Sequence, residues 1–290
     1  PGVTVDENAM KTLLDRRRPS SAIDTARQEP DNYQILSGVF NGKTTGAPIT
    51  IFIPNTDTRS RDYNYGPARP SHADYTAFVK YSGFEDYRGG GHFSGRLTAA
   101  LVAAGGIFIP ALESLGITIG THILKCGNAW DRPFAFDPKG DIEALKKSSF
   151  PVLNPEVEKD IINEIMSAKM SVDSIGGVIQ TAVSGLPAGL GEPWFDSVEG
   201  LISHAMFSLG GVKGIEFGAG FAFADMRGSD ANDPFALDSE GNVVTTKNNN
   251  GGILGGITSG MPVVFQCAVK PTASVARAQN TVNFIENKET

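Results

Sequence analysis

Helical and strand patterns alternate along this chain, and no linker-like segment separates them. Residues 155–170 follow an Asn-Pro start signal and carry apolar side chains at helical spacing. Residues 177–184 and 261–269 are short and rich in β-branched side chains, which is typical of buried strands. A chain that mixes both patterns buries them by covering sheets with helices. The sequence therefore predicts one compact α+β domain over residues 1–290.

The same patterns predict the remaining elements. Residues 93–115 are small and apolar, which suits a closely packed helix, and Asn41-Gly42 marks a hairpin turn. Residues 54–92 are polar and irregular, which predicts a long loop of the kind that often carries function. Further expected elements are helices over 6–18 and 197–209, strands over 33–40, 48–53 and 117–119, and a second polar loop over 227–252.

One short segment is similar in sequence to a segment later in the chain. Residues 42–49 read Gly-Lys-Thr-Thr-Gly-Ala-Pro-Ile, and residues 256–263 read Gly-Ile-Thr-Ser-Gly-Met-Pro-Val. Both place a turn directly before a proline-led strand. A duplicated α+β unit would produce this internal similarity, and chance would also produce it over so short a stretch. The sequence leaves both explanations open.

Charge and cysteine content argue against several classes of function. The 32 acidic residues outnumber the 25 basic ones, giving a net charge of -7, whereas nucleic-acid-binding domains are basic. Cys126 and Cys267 show no metal-binding spacing, so we expect buried thiols in a cytoplasmic protein and no metal site. No run of about 18 apolar residues stands out, so no membrane-spanning helix is expected.

Four segments hold more glycine and polar residues than folding requires. Arg16–Arg18 offer planar cations to an anion, although cations at a helix end also complement the helix dipole. His72 stands near Asp74 as an oriented acid or base would, although a histidine in a loop is often only solvated. The backbone NH groups of residues 88–96 suit a phosphate, and the asparagine amides and glycine NH groups of residues 248–256 suit the edge of a planar ring, although both segments also suit simple turns. Together they suit a polyanionic small molecule with a phosphorylated cofactor.

These segments resemble those of the chorismate synthase family. The similarity covers nearly the whole chain, and in this order the motifs are highly specific. They are Asp-Arg-Arg-Arg-Pro (15–19), Ile-Leu-Ser-Gly-Val-Phe-Asn-Gly-Lys-Thr-Thr-Gly-Ala-Pro-Ile (35–49), Arg-Pro-Ser-His-Ala-Asp-Tyr-Thr (69–76), Asp-Tyr-Arg-Gly-Gly-Gly (86–91), Gly-Leu-Pro-Ala-Gly-Leu-Gly-Glu-Pro-Trp-Phe-Asp (185–196), Val-Lys-Gly-Ile-Glu-Phe-Gly (212–218), Gly-Gly-Ile-Leu-Gly-Gly-Ile (251–257) and Lys-Pro-Thr-Ala-Ser (270–274).

The resemblance implies a fold and an activity. The family fold is a β-α-β sandwich with internal pseudo-two-fold symmetry, which would account for the similarity between residues 42–49 and 256–263. The family activity is that of a lyase of the shikimate pathway, which leads to the aromatic amino acids. It forms chorismate by 1,4-anti elimination of phosphate from 5-enolpyruvylshikimate 3-phosphate and requires reduced FMN without net redox change. Some members also reduce flavin with NADPH. Members are usually cytoplasmic homotetramers, and neither a nucleic acid nor a membrane is implied as a partner.

The resemblance also implies roles for individual residues. His72 matches the histidine that protonates the reduced flavin, and Arg17 and Arg96 match basic residues that bind substrate or NADPH phosphate. His92 and Phe93 stand where many members have Arg and Ser. The positions expected to contact the flavin are His92, Phe93, Ser94, Gly210, Gly211, Gly255, Lys270, Pro271, Thr272, Ala273 and Ser274.

Two family motifs do not occur in this sequence. Members carry Gly-Glu-Ser-His-Gly near the start, whose histidine is a second catalytic acid, and Arg-His-Asp-Pro-Cys beyond the position of Thr290. We therefore expect the chain to correspond to the enzyme without both ends, with an incomplete active site. Three other functions stay open: a truncated flavin- or anion-binding form, a small-molecule kinase suggested by the glycine-rich loop with Ser94, and an NADPH-dependent flavin reductase.

Overall fold

A computed structural model describes residues 1–21, 23–24, 29–56 and 64–290. Residues 57–63 of the predicted long loop lie outside the described residues. The helices of the described chain are α1 (Glu7–Arg17), α2 (Asp74–Lys80), α3 (Thr98–Glu113), α4 (Lys139–Lys147), α5 (Pro155–Met170), α6 (Val198–Phe207) and α7 (Gly228–Ala231), with 3₁₀ helices at Arg88–Phe93, Gly95–Leu97, Trp194–Asp196 and Gly220–Asp225. The strands are β1 (Gln34–Ser37), β2 (Val39–Phe40), β3 (Lys43–Thr44), β4 (Thr50–Phe52), β5 (Thr118–Cys126), β6 (Ala129–Trp130), β7 (Gly177–Ser184), β8 (Val212–Phe217), β9 (Phe235–Leu237), β10 (Val243–Thr245), β11 (Ile253–Leu254), β12 (Ile257–Thr258), β13 (Val263–Val269), β14 (Val282–Asn283) and β15 (Lys288–Glu289).

The chain divides into two compact units. Unit 1 comprises Pro1–Ala111, Lys169–Ser174 and Thr272–Thr290, and unit 2 comprises Leu112–Ala168 and Ile175–Pro271. Both combine helices with strands, which confirms the predicted α+β class. The two units are defined by where residues contact one another, which does not show whether each unit folds on its own. The single domain expected from the sequence therefore stays a prediction.

Unit 1 is built around the contact between α1 and α3. Asp6 caps α1 by accepting hydrogen bonds from backbone NH groups of the first turn, which explains why the helix begins there. Gly106 of α3 allows close packing, because a Cβ at that position would lie 2.6 Å from Cα of Met10. The buried residues of this contact are Val5, Met10, Leu14, Ala103 and Ile107.

Short antiparallel strand pairs complete unit 1. β2 and β3 form the hairpin predicted at Asn41-Gly42, where both residues have positive φ, as a tight hairpin turn requires. β1 pairs with β4, and β14 pairs with β15. The chain around β14 also bonds to the segment before α2, since Phe284 N donates to Gly66 O at 3.0 Å. This pairing places Phe284 beside residues that precede α2.

Unit 2 contains a five-stranded antiparallel sheet in the order β6-β5-β7-β13-β8. Partly buried Val198, Ile202 and Met206 of α6 pack against the core residues of this sheet. Both cysteines are buried, and burial raises the pKa of each thiol, so the expectation of buried thiols is confirmed. The core residues of the α6 contact are Val212, Ile253, Val263, Phe265 and Cys267.

The two similar segments, residues 42–49 and 256–263, share their local structure. In unit 1 the short hairpin strand β3 is followed by β4, and in unit 2 the short hairpin strand β12 is followed by β13. Gly46 and Gly260, which precede the prolines, both have positive φ. The likeness therefore extends from sequence to backbone, while duplication as its origin stays a prediction.

Two expectations need correction. The segment 54–92 is not a continuous loop, because it contains α2 and the 3₁₀ helix Arg88–Phe93; a helix of seven residues is too short to show a clear period. The apolar segment Gly95–Glu113 does meet the length and composition of a membrane span, with a mean hydropathy of 1.6 and 22% of it buried. A core helix meets the same criterion, so this is weak evidence for a span.

Candidate active site

His72 lies in a polar turn just before α2 and is held by an acid and a base from the same turn. Its Nδ1 atom is 2.7 Å from Asp74 Oδ1 and 3.0 Å from Arg69 Nη2. Arg69 donates from Nη2 to Asp74 Oδ1 at 2.7 Å, and from Nε and its backbone N to Asp74 Oδ2 at 2.9 and 3.0 Å. These bonds join the three side chains into one cluster.

The carboxylate of Asp74 is the anionic centre of this cluster. Burial alone would raise the pKa of Asp74, but hydrogen bonds from Arg69 and His72 outweigh burial and hold the pKa well below its usual range. Asp74 is therefore ionised at neutral pH. An ionised carboxylate accepts hydrogen bonds and cannot donate them, so it orients the imidazole of His72.

The cluster opens onto a cavity of about 670 Å³ in unit 1. This volume lies within the range of small-molecule and cofactor sites. The Tyr65 ring lies 4.8 Å from the Tyr87 ring and 5.9 Å from the Phe284 ring, so the aromatic wall is packed against itself. The residues that supply most of the apolar wall are Tyr65, Tyr81, Phe84, Tyr87, Phe93 and Phe284.

A glycine-rich segment forms another side of the cavity. Gly90 and Gly91 line it, and both have positive φ, which favours glycine. A Cβ at Gly90 would lie 3.6 Å from Nε2 of His72, so this backbone runs directly beside the imidazole. His92 and Phe93 line the same cavity, whereas the Ser94 hydroxyl accepts a hydrogen bond from Arg96 N and caps a short 3₁₀ helix.

Arg17 is bound by groups of its own chain. Its Nη1 lies 2.5 Å from Oδ2 of the buried Asp31, and its Nε donates to Thr98 Oγ1 at 3.3 Å. Its Nη2 reaches the carbonyls of Gly95 and Arg96 at 3.4 Å. An anionic ligand at Arg17 would therefore compete with Asp31 for the guanidinium group.

Arg96 lies next to the Arg17 side chain and has acidic and amide partners. Its Nη2 lies 3.1 Å from Glu29 Oε1, and its Nη1 donates to Asn55 Oδ1. The two predicted anion-binding arginines thus lie side by side, and Gly90, six residues before Arg96, lies beside His72. No group of three or more His, Cys, Asp or Glu suited to a metal ion occurs among the described residues.

The remaining predicted positions fall into two groups. Ser274 joins the His72 cluster in unit 1, since Arg69 Nη1 donates to its hydroxyl at 3.4 Å. Thr272 and Ala273 are also in unit 1. The rest lie in unit 2, where Lys270 N donates to Gly211 O at 2.8 Å. These unit 2 positions are Gly210, Gly211, Gly255, Lys270 and Pro271.

The asparagines of residues 248–256 make hydrogen bonds to neighbouring segments of the chain. Asn248 Nδ2 donates to Pro262 O at 2.8 Å, and Asn249 Nδ2 donates to backbone carbonyls at 3.1 and 3.2 Å. Asn250 Nδ2 donates to Asp233 Oδ2 at 2.8 Å. All three amide groups therefore help to hold the loop together, and their contact with a planar ring stays a prediction.

Sequence reasoning missed most of the cavity wall. Phe284 enters it from about 200 residues along the chain, and no local pattern signals that contact. Tyr65 and Tyr87 stand in the stretch 54–92 that was expected to carry function, and their tyrosine side chains were the available signal. Burial and the Glu85 carboxylate raise the pKa of Tyr65, so its hydroxyl stays protonated beside Glu85.

Comparisons with known proteins agree with one another. The family model described as chorismate synthase matches residues 1–290. The chorismate synthase of Thermococcus gammatolerans is 44% identical over 287 residues, covering 98% of this chain and 79% of that protein. The chorismate synthase of Lachnoclostridium phytofermentans is 43% identical, covering 97% of this chain and 76% of that protein. A solved crystal structure of chorismate synthase has a TM-score of 0.75 and 30% identity, covering 93% of this chain and 78% of that chain.

Proposed function

This chain belongs to the chorismate synthase family of lyases, and from that premise we propose how its own residues take part in the reaction. The proposed reaction is 1,4-anti elimination of phosphate from 5-enolpyruvylshikimate 3-phosphate to give chorismate, with reduced FMN and no net redox change. One observation carries the proposal: His72, oriented by Asp74, faces a cavity with aromatic and glycine-rich walls.

The cavity fits a planar cofactor in its lining and size. Aromatic rings such as Tyr87 and Phe93 offer flat apolar contact, and Gly90 and Gly91 leave room for close approach to the backbone. Tyr65, Tyr87, Gly90, Gly91 and Phe93 would therefore hold the ring of reduced FMN. When bound, reduced FMN supplies electron density to the allylic system that loses phosphate.

In this proposal His72 holds and delivers a proton at the cavity. A histidine can exchange a proton near neutral pH, and Asp74 fixes the direction in which its ring points. Arg69 is permanently charged and offsets the Asp74 carboxylate beside it. Asp74 therefore adds no unpaired negative charge to the site.

Arg17 and Arg96 are proposed to bind the anionic groups of the substrate or of NADPH. The substrate carries two carboxylates and a phosphate, which planar guanidinium groups bind well. In the structure their partners are Asp31 and Glu29, so ligand binding would exchange or share those ion pairs.

Further family properties are proposed on the resemblance. Flavin contacts are proposed for His92, Phe93, Ser94, Gly210, Gly211, Gly255 and Lys270–Ser274, and NADPH use is proposed as a second activity. A cytoplasmic homotetramer is proposed as the working form. The family assignment replaces the small-molecule kinase hypothesis. That hypothesis rested on the glycine-rich segment and on Ser94, whose hydroxyl caps a 3₁₀ helix.

An anaerobic turnover assay tests the proposal. Purified protein is mixed with chemically reduced FMN and 5-enolpyruvylshikimate 3-phosphate, and chorismate absorbance and phosphate release are followed together. We expect equal amounts of both products with no net oxidation of the flavin. The mass of the same sample is measured by mass spectrometry. A sample of about the relatives' length that binds both ligands and makes no chorismate would contradict the proposal.

A further inference from the structure

The turn that carries His72 is held together by hydrogen bonds between its own residues. Asp74 accepts three hydrogen bonds from Arg69, one from the backbone and two from the guanidinium group. His72 N donates to Arg69 O at 3.1 Å across the same turn. The side chains of His72 and Asp74 are 17% and 19% exposed, so both are shielded from bulk water. The turn therefore presents the imidazole in one fixed orientation.

The hydrogen-bond partners decide which ring nitrogen of His72 carries the proton. Arg69 has only donors and Asp74, being ionised, has only acceptors. Nδ1 is closer to the acceptor Asp74 Oδ1, at 2.7 Å, than to the donor Arg69 Nη2, at 3.0 Å. A bare Nδ1 lone pair at 2.7 Å from a carboxylate oxygen would be repelled by it. The stable arrangement has hydrogen on Nδ1, donated to Asp74.

The opposite nitrogen faces the cavity wall. Nε2 of His72 lies beside Gly90, where a Cβ would stand 3.6 Å away. Gly90, Gly91 and His72 all line the same cavity. With Nδ1 committed to Asp74, Nε2 is the atom that exchanges a proton with a ligand in this cavity.

We propose that Asp74 is a positioning residue for the reaction, which holds neutral His72 as the Nδ1-H tautomer so that Nε2 receives and delivers the proton. This inference rests on the proposed role of His72 as the acid. Arg69 takes part by fixing both oxygens of Asp74. The role differs from general support of the turn, because it acts through one ring nitrogen.

Asp74→Asn separates the two roles. Asp74 Oδ2 accepts from Arg69 N and Nε, so the amide oxygen of the variant takes that place. The amide NH₂ then replaces Oδ1, loses the bond from Arg69 Nη2 and faces Nδ1 of His72 as a donor. Nδ1 must become the acceptor, and the proton of the neutral ring moves to Nε2. The substitution therefore reverses the tautomer while the side chain keeps its shape.

NMR of protein labelled with ¹⁵N-histidine measures the tautomer directly. Long-range ¹H–¹⁵N correlations distinguish Nδ1-H from Nε2-H rings, and His72→Ala assigns the signal. We expect an Nδ1-H ring in the wild type at alkaline pH and an Nε2-H ring in Asp74→Asn. An Nε2-H ring in the wild type would overturn the proposal, with no variant needed.

A double-mutant cycle tests whether Asp74 acts through His72. We expect Asp74→Asn to lower kcat by about 10²- to 10⁴-fold, the range seen for acid–base groups and for a reversed tautomer in the serine-protease triad. In the His72→Ala background the same change should cost less than about two-fold, because the group it positions is gone. Equal losses in both backgrounds would show a structural role and overturn the proposal.

A matched control comes from another Asp–Arg pair. Asp141 accepts from Arg132 at 2.6 and 3.0 Å in unit 2, so Asp141→Asn also breaks a bidentate pair. It should leave the His72 ring signal and turnover unchanged. Wild-type turnover in His72→Ala would refute the proposed acid role, whereas the ring spectra would still decide whether Asp74 sets the tautomer.

Discussion

Replacing Gly106 by alanine inserts a methyl group where α1 and α3 meet. The new Cβ would lie 2.6 Å from Cα and 2.7 Å from Cβ of Met10, which is fully buried. Part of this contact is backbone, so no change of rotamer relieves it, and the two helices must move apart. Gly105 is the adjacent position in the same helix, and a Cβ there would meet only Ile109 Cδ1 at 3.8 Å.

The two substitutions therefore have opposite expected signs. Alanine in a helix interior is favoured over glycine by about 1 kcal/mol, so Gly105→Ala should stabilise the protein by about that amount. Gly106→Ala has the same gain but also an overpacking cost of about 3 kcal/mol, at the upper end of the usual range, because the contact is with backbone. The expected net loss is about 2 kcal/mol.

Thermal unfolding followed by circular dichroism measures the difference. With roughly 2–4 °C per kcal/mol for a chain of this size, Gly106→Ala should lower Tm by about 4–8 °C, and Gly105→Ala should raise it by about 2–4 °C. Arg17 should also loosen in Gly106→Ala, because Thr98 at the start of α3 accepts from its guanidinium group. Equal or higher stability of Gly106→Ala would refute the packing of α1 on α3.

Two further predictions concern charged groups of unit 1. The pKa of Asp74 is lowered from its ordinary 3.8 in the folded protein, so its stabilisation is complete above that value and is lost as pH falls through the lower folded value. The difference in unfolding free energy between wild type and Asp74→Asn should therefore shrink below about pH 4, where Asp74 begins to take up a proton in the unfolded chain. Arg17→Ala leaves the buried Asp31 without its cation and should cost about 2–3 kcal/mol in urea unfolding, less than a fully buried pair because Arg17 is 25% exposed. Arg88→Ala removes an exposed surface pair with Asp86 and should leave the stability nearly unchanged; equal costs for the two arginine variants would contradict this account.

Elements with a clear period could be predicted from sequence. The apolar spacing over 155–170 and the β-branched run over 177–184 match α5 and β7. α4 and β8 were missed, since α4 is only nine residues long and the segment of β8 had been quoted as a motif without a strand assignment. α2 was missed because a helix of seven residues is too short to show a clear period.

The candidate site was predictable in chemistry but not in geometry. His72 and Asp74 are close in sequence, so their association was foreseen from the turn itself, whereas the bonds from Arg69 to Asp74 were not. Phe284 reaches the cavity through strand pairing near Gly66, and such long-range contacts are invisible to local patterns. The bond from Asn248 to Pro262 O was invisible for the same reason, because the two residues are 14 positions apart.

The measurement that tests the central claim most directly is single-turnover chorismate formation under anaerobic conditions. Wild type, His72→Ala and His204→Ala are compared with reduced FMN and 5-enolpyruvylshikimate 3-phosphate; His204 is an exposed histidine on α6. The account predicts that His72→Ala slows chorismate formation by about 10²- to 10⁴-fold and that His204→Ala stays within about two-fold of the wild type. Equal rates for His72→Ala and the wild type would contradict it.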